Sequence, residues 1–298
     1  MKYVVTGGAG FVGNNIVREL IKNHHHVIVV DNLHSGKKSN LLDISDRIKF
    51  FELDIRNYNK LREICKKSDG IFHEAALTVV QESFVKKKEY EDVNINGTEN
   101  ILKIAKEFDI KVVFASSSSV YGDSKIIPIK ENGEKNPINP YGNTKLQAEI
   151  LAKKYSELGV RVIGLRYFNI FGKGQTISYA GVITKFLKNI KDNESLKIFG
   201  TGEQTRDFVH VNDIAIANLY AMNSESKFGF YNIGTGISTS INELAKIMIT
   251  ISKKNLEVEH VKELKGDVKD SVADTSLTEA KLKWKANIEL NVGLKDLI

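Results

Sequence analysis

Two segments carry residue types that could do chemistry together. Tyr141-Gly142-Asn143-Thr144-Lys145 sets a phenol and an ammonium four residues apart, so on a helix both project from one face. Pro140 suits the first turn of such a helix. An ordinary tyrosine titrates near ~10. A neighbouring ammonium favours phenolate, which can take a proton from an alcohol. The second segment, Thr6-Gly7-Gly8-Ala9-Gly10-Phe11-Val12-Gly13, follows the apolar run Tyr3-Val4-Val5 and leads into an amphipathic stretch through Ile16, Val17, Leu20 and Ile21. Strand, glycine turn and helix in that order present backbone N–H groups at a helix N-terminus, which can hold a pyrophosphate. Gly7, Gly10, Phe11, Val12 and Gly13 are therefore the candidate dinucleotide turn. A glycine pattern alone could equally be a tight turn, and it is the flanking strand and helix, together with Asp31, that favour a nucleotide.

Asp31 ends the second apolar run, at the interval from Gly7 where an acid reaches the adenosine ribose. A carboxylate there would repel a 2′-phosphate, so NAD is expected rather than NADP, although Lys37 and Lys38 lie nearby. Asp54 ends a third run, where it could accept from the adenine amino group while the Ile55 N–H serves a ring nitrogen; a helix cap is its alternative use. Ala75 and Ala76 are small enough for a dinucleotide to lie against the fourth strand. Ser116-Ser117-Ser118-Ser119-Val120-Tyr121-Gly122 closes a fifth run, and its hydroxyls could hydrogen-bond the reacting oxygen. His24, His25 and His26 are expected at the end of the first helix, where imidazoles complement the dipole. With no acid or cysteine set beside them, no metal site is expected.

These residues need a sheet to gather them. Apolar runs at 3–5, 27–30, 48–53, 70–73, 112–115 and 162–165 alternate with helical patterns at 12–23, 57–67, 89–108 and 141–157, which predicts a Rossmann-type doubly wound parallel sheet. Ligands of such a sheet bind at the C-terminal ends of its strands, where all the candidates lie. Helices near 179–191, 212–223, 240–252 and 276–283 and strands near 196–199, 229–233 and 257–261 follow in less regular order. The expected division is an NAD-binding domain over 1–170, including the Tyr141 helix, and over 171–298 a smaller mixed α/β substrate-binding lobe with segments returning to the first domain. The chain has 298 residues, 42% of them hydrophobic, enough for one large core with a lobe attached. Its net charge of +6 arises from 43 basic and 37 acidic residues spread along the chain, which favours anionic small molecules over nucleic acid. A single cysteine, Cys65, excludes an internal disulfide and fits a reducing cytoplasm. There is no apolar stretch of about 18 residues and no leader pattern, so membrane spanning and export are not expected.

The ordered segments TGGAGFVG (6–13), DNLHSG (31–36), HEAA (73–76), NINGTEN (94–100), SSSSVYG (116–122), PYGNTK (140–145), LRYFNIFG (165–172), GEQTRDFVHVNDIA (202–215), FYNIGTG (230–236) and GDVKDSVAD (266–274) resemble the extended short-chain dehydrogenase/reductase family, in particular its NAD-dependent nucleotide-sugar 4-epimerases, typified by UDP-glucose 4-epimerase. The resemblance implies Tyr141 as base, Lys145 on the nicotinamide ribose, and Ser117 as partner hydroxyl, with Ser118 the lesser candidate. It places Asn32, Ser35, Gly36, Asn94 and Phe168 around the cofactor, and Asn169 and Arg206 on the substrate's sugar and diphosphate. A guanidinium fork suits an oxyanion independently, and an ion pair with Asp207 is the alternative use of Arg206. The family's chemistry implies a UDP-linked sugar oxidised at C4 to a transient ketone, turned in the pocket and reduced on its other face. UDP-glucose and UDP-galactose are the first pair expected. UDP-N-acetylglucosamine, UDP-glucuronate, a nucleotide-sugar reductase or dehydrogenase, and a non-enzymatic nucleotide sensor are the alternatives. The resemblance further implies a homodimer through helices 89–108 and 141–157.

Three departures stand out. Related dehydratases carry Asp-Glu after the catalytic hydroxyl, where this chain has Ser118-Ser119. Gly172-Lys173-Gly174-Gln175 replaces a common Pro-Arg after the RYFN segment, and Leu264-Lys265 replaces a common arginine before Gly266-Asp267.

Overall fold

The apolar runs pair side by side, and all but the edge run at 48–53 are largely buried on both faces. In the computed structural model, which describes residues 1–175, 181–263 and 266–298, the first element is β1 (Lys2–Thr6) and the next is α1 (Phe11–Lys22). The chain continues through β2 (His26–Asp31), 3-10 turns over Lys38–Arg47, β3 (Ile48–Glu52), α2 (Tyr58–Cys65) and β4 (Gly70–His73). Three short helices follow, α3 (Val80–Val85), α4 (Lys87–Glu91) and α5 (Gly97–Phe108), then β5 (Lys111–Ser117), α6 (Pro140–Glu157) and β6 (Val162–Tyr167). With the strand Phe228–Ile233 at its edge, the sheet runs Phe228–Ile233, β6, β5, β4, β1, β2, β3, all parallel. The order reverses between β1 and β4, and an open α/β sheet leaves its ligand crevice above such a reversal.

Helices cover both faces. The α1 stripe Gly13, Ile16, Val17, Leu20 and Ile21 recurs at helical spacing and packs on one face with Ile214, Ala217 and Ala221 of a later helix, Val211–Asn223. On the other face α2, α5 and α6 bury Leu61, Cys65, Ile101, Leu102, Ala148 and Ala152. Thus both Phe228–Ile233 and Val211–Asn223 join the large sheet although they follow residue 170 in sequence. A separate core, with Phe171, Phe186, Ile198, Leu244 and Met248, joins Val182–Asp192 and Ile241–Ser252 to short parallel strand pairs, among them Leu196–Phe199 with Val258–Val261. The expected strands and most helices are found within a few residues of their predicted limits.

Three local expectations differ. The helix read over 89–108 runs without a break from Lys87 to Phe108 but widens into a π-helical turn over Asp92–Asn96, where Asn94 is buried. The histidines do not cap α1: it stops at Lys22, His24 adopts a left-handed φ of 59°, His25 packs edge-on against Tyr3, and His26 starts β2. The helix expected from 179 is found over Val182–Asp192, and residues 179–180 lie outside those described. Among the described residues no helix is long and apolar enough to cross a membrane.

Candidate active site

The C-terminal ends of β1 to β6 frame one cleft of about 390 Å³. Its floor is the glycine turn. Gly7 has φ +68°, and a Cβ there would lie 2.7 Å from the Ala75 nitrogen; a Cβ on Gly13 would lie 2.2 Å from the Gly7 carbonyl oxygen. Glycine at these positions lets the start of α1 and the end of β4 close on the turn, leaving backbone N–H groups facing the cleft. Gly10, Phe11, Val12 and Gly13 line it, as do Ala75 and Ala76.

Asp31 is buried and lines the same wall. It accepts from the Ala9 N–H at 2.9 Å and the Leu33 N–H at 2.7 Å, which ties the acid to the glycine turn. Burial pushes its carboxyl up while those two N–H groups pull it down. Asn32, Ser35, Asp54 and Ile55 line the cleft beyond it. Asp54 is held by Arg56 through paired hydrogen bonds of 2.9 Å and by Asn32 at 3.0 Å. Arg56 is the main reason its carboxyl falls to about 2. Gly36 does not line the cleft: it packs against Ala9 and closes the loop over the turn.

The candidate proton-transfer residues arrive from α6 and β5. Pro140 opens α6, the Asn139 side chain caps the Gly142 N–H at 2.8 Å, and the Ser83 hydroxyl accepts from the Tyr141 N–H at 3.1 Å. Two of the helix's orphan donors are thereby satisfied beside the catalytic candidate. Tyr141, Lys145, Ser116 and Ser117 all line the cleft. The Lys145 ammonium donates to the Ala115 carbonyl at 2.9 Å and lies 5.9 Å from the Tyr141 ring centre.

Burial pushes the Tyr141 phenol up to about 12, with Glu74 adding to the rise and a hydrogen bond with Ser117 opposing it. Without a ligand, the downward pull on the phenol comes from the serine. Burial lowers Lys145 to about 8, against the pull of Glu74. Ser117 also donates to the Ser119 hydroxyl at 3.1 Å, so the two hydroxyls form a short chain beside the phenol.

Phe168 and Asn169 line the cleft from the segment after β6. Besides Gly36, three expected contacts do not. Asn94 is buried behind the wall, where its side chain receives the Leu77 N–H at 2.8 Å and donates to the Leu77 carbonyl and the Thr144 hydroxyl at 2.9 and 3.0 Å. It therefore joins the loop after β4 to α6 rather than reaching a cofactor. Ser118 lies off the wall in the turn after β5, its carbonyl accepting from the Tyr121 N–H. Arg206 is buried in the second lobe, paired with Asp267 at 2.5 Å and donating to the carbonyls of Thr205, Val268 and Lys269. Its ion pair is with Asp267 and not the Asp207 considered from sequence, because Asp207 instead accepts from Thr235, Gly236 and Ala273. Leu264 and Lys265, which stand in place of the common arginine, lie outside the described residues.

Sequence reading gave no role to Glu74, which lies on this wall and accepts from the Tyr167 hydroxyl at 3.0 Å. The available signal was a lone acid directly after an apolar strand. Among the described residues no cluster of His, Cys, Asp or Glu could hold a metal ion. The glycine cradle, the buried acid at the end of β2 and the small residues after β4 fit an NAD-type dinucleotide, with the reacting end beside Tyr141.

Comparison with known proteins agrees with this geometry. Residues 3–234 match the NAD dependent epimerase/dehydratase family. A Methanocaldococcus jannaschii protein provisionally named a UDP-glucose 4-epimerase is 40% identical over 99% of this chain and 96% of its own. The Thermotoga maritima UDP-glucose 4-epimerase, solved with UDP-glucose, superposes with a TM-score of 0.94 at 35% identity, covering 99% of this chain and 96% of that one. The UDP-N-acetylglucosamine 4-epimerase of Methanobrevibacter ruminantium, solved with UDP-N-acetylmuramic acid, gives 0.95 at 36% with the same coverages. The family match spans most of the chain, and these relatives align along nearly their whole lengths, so the chain belongs to the NAD dependent epimerase/dehydratase family, within the extended short-chain dehydrogenases/reductases, and is related to UDP-glucose 4-epimerases.

Proposed function

We propose that this enzyme inverts C4 of a UDP-linked sugar, with UDP-glucose and UDP-galactose as its principal pair and NAD as a retained cofactor. The observation that carries the reading is the meeting of Tyr141, Ser117 and Lys145 on the wall of a cleft floored by the dinucleotide turn. The names of the two UDP-glucose 4-epimerase relatives support the choice of sugar. Gly7 to Gly13 would hold the pyrophosphate, Asp31 the adenosine ribose, and Lys145 the nicotinamide ribose. Bound there, NAD supplies reversible hydride acceptance from carbon.

The chain's own residues handle the proton. Tyr141 Oη removes it from the C4 hydroxyl, Ser117 Oγ steadies that oxygen through a hydrogen bond, and Lys145 keeps positive charge beside the phenol. The same phenol returns the proton after the ketone has presented its other face, and with the hydride given back to C4 there would be no net oxidation. Positions 118 and 119 are hydroxyls rather than the acid pair that water elimination requires, which favours epimerisation over dehydration. A second copy is expected to dock along α5 and α6, where Ile150 is exposed.

The test is an NMR time course of UDP-glucose, UDP-N-acetylglucosamine and UDP-glucuronate without added cofactor. C4-inverted product from UDP-glucose is expected, and Tyr141→Phe should slow it about 10²- to 10⁴-fold while nucleotide retention persists. Inversion of another sugar alone would overturn the named pair. Stoichiometric NADH with a stable oxidised product would replace epimerisation by dehydrogenation, and nucleotide binding with no turnover of any of the three would favour a sensor.

A further inference from the structure

His73 ends β4, and its ring bridges the segments that build the two halves of the candidate site. Its Nδ1 lies 2.8 Å from the hydroxyl of Thr6, the residue before the Gly7 turn, and its Nε2 lies 3.0 Å from the hydroxyl of Thr98 at the start of α5. The bonds around the ring leave one arrangement of protons. Thr98 spends its single hydroxyl proton on the Asn94 carbonyl at 2.7 Å, so towards His73 it can only accept. Thr6 receives the Ala75 N–H at 3.3 Å and gives its own proton to the imidazole. A proton on Nδ1 would strand the Thr6 hydroxyl proton among the described residues and set Nε2 against the Thr98 oxygen with no proton between them. Nε2 therefore carries the proton, and every donor from Ala75 to Asn94 points the same way. The chain then continues, because the Asn94 side chain donates to the Thr144 hydroxyl at 3.0 Å and Thr144 donates to the Tyr141 carbonyl at 2.7 Å. Thr6, His73, Asn94, Thr98 and Thr144 are all buried, and none of them lines the cleft.

We propose that His73, with its proton on Nε2, is a positioning residue that sets the dinucleotide turn against the first turn of α6, and so the cofactor against Tyr141. It acts through Thr6 on the seat of the cofactor, and through Thr98, Asn94 and Thr144 on the backbone that carries the phenol. It rests on the readings of the cleft as an NAD site and of Tyr141 as the base. A buried polar chain is satisfied only while every member keeps its place, so removing one hydroxyl from the middle loosens both ends together. Burial keeps the ring neutral by pushing it down to about 3, as an acceptor at Nδ1 requires.

The test has two arms, both on protein carrying its nucleotide. In the first, long-range proton–nitrogen NMR correlation of histidine-labelled native protein reads the tautomer of His73, assigned by comparison with His73→Gln. A protonated Nε2 is expected, and a protonated Nδ1 would overturn the proposal. The second compares Thr98→Val, which keeps the side-chain volume and removes the hydroxyl, with Thr98→Ser, which keeps the hydroxyl and removes a methyl. In samples shown to be folded by circular dichroism, Thr98→Val is expected to release nucleotide about tenfold faster and to lower kcat about tenfold with KM for UDP-glucose little changed, while Thr98→Ser stays within about twofold of native. A merely structural role for this chain would lower Tm without moving nucleotide release or kcat of the folded protein. Native release and kcat in Thr98→Val, or a serine variant impaired as much as the valine one, would overturn the proposal. The tautomer is read on native protein, so it decides even where Thr98→Val fails to fold. Tautomer and nucleotide release need no substrate, so they stand apart from the function reading, which fails separately if no UDP-sugar is inverted.

Discussion

Removing Glu149 should destabilise this protein far more than removing an exposed acid. Its side chain is 4% exposed and that of its partner Arg166 2%. Glu149 accepts from the Arg166 Nε at 2.8 Å, from Nη2 at 2.7 Å and from the Ser116 hydroxyl at 2.6 Å. Among the described residues the other hydrogen-bond partners of Arg166 are neutral, the Tyr121 hydroxyl at 2.7 Å and the Glu131 carbonyl at 2.8 Å. Glu149→Ala therefore leaves a buried guanidinium without its counter-charge, a change that costs about 3–5 kcal/mol.

Spread over an unfolding entropy of ~2.1 cal/mol/K per residue, that is a fall in Tm of about 5–8 °C for 298 residues. The double variant Glu149→Leu/Arg166→Met removes both charges and keeps apolar volume, so it should lose much less than the two single changes added together. Urea unfolding followed by circular dichroism measures all three. A single-variant cost below about 1 kcal/mol, as for an exposed pair, would refute the argument, and so would strict additivity in the double variant. Because Ser116 adjoins Ser117 and Glu149 lies one turn beyond Lys145, the single variant should also slow turnover.

Two further outcomes follow from the same geometry. Gly7→Ala requires a left-handed backbone and a methyl pressed on the Ala75 nitrogen, so it should cost at least about 1–2 kcal/mol and strip the copurified nucleotide, measured by mass after denaturation. His73, held between the Thr6 and Thr98 hydroxyls, has its imidazole lowered from 6.5 to about 3 by burial. The unfolded chain therefore binds a proton that the folded one refuses, and stability should fall as pH drops from 6.5 towards about 3, at up to about 1.4 kcal/mol per unit. His73→Gln should flatten that slope, and an unchanged pH dependence of urea midpoints would count against it.

Much of the fold was legible because parallel strands buried on both faces read as short apolar runs. Tyr3 to Val5, Val27 to Val30 and Gly70 to His73 could hardly be anything else between helical patterns. The glycine turn, Asp31 and the Tyr141 helix were legible for a similar reason: their roles depend on local spacing, on Pro140 and on the capping side chain of Asn139. By itself the sequence determined the element types, the end of the sheet where ligands bind and the pairing of Tyr141 with Lys145. Only the tertiary structure decided which polar groups face the cleft. Arg206 and Asn94 were read as ligand contacts, and in the folded chain Arg206 pairs with Asp267 while Asn94 bonds Leu77 and Thr144. Glu74 carried no assignment from the sequence, yet strand register and its hydrogen bond with Tyr167 set it on the wall that also holds Tyr141 and Lys145. Spacing along the chain dictates what one helix or turn presents, whereas the competition of buried donors and acceptors for partners is settled only when distant segments meet.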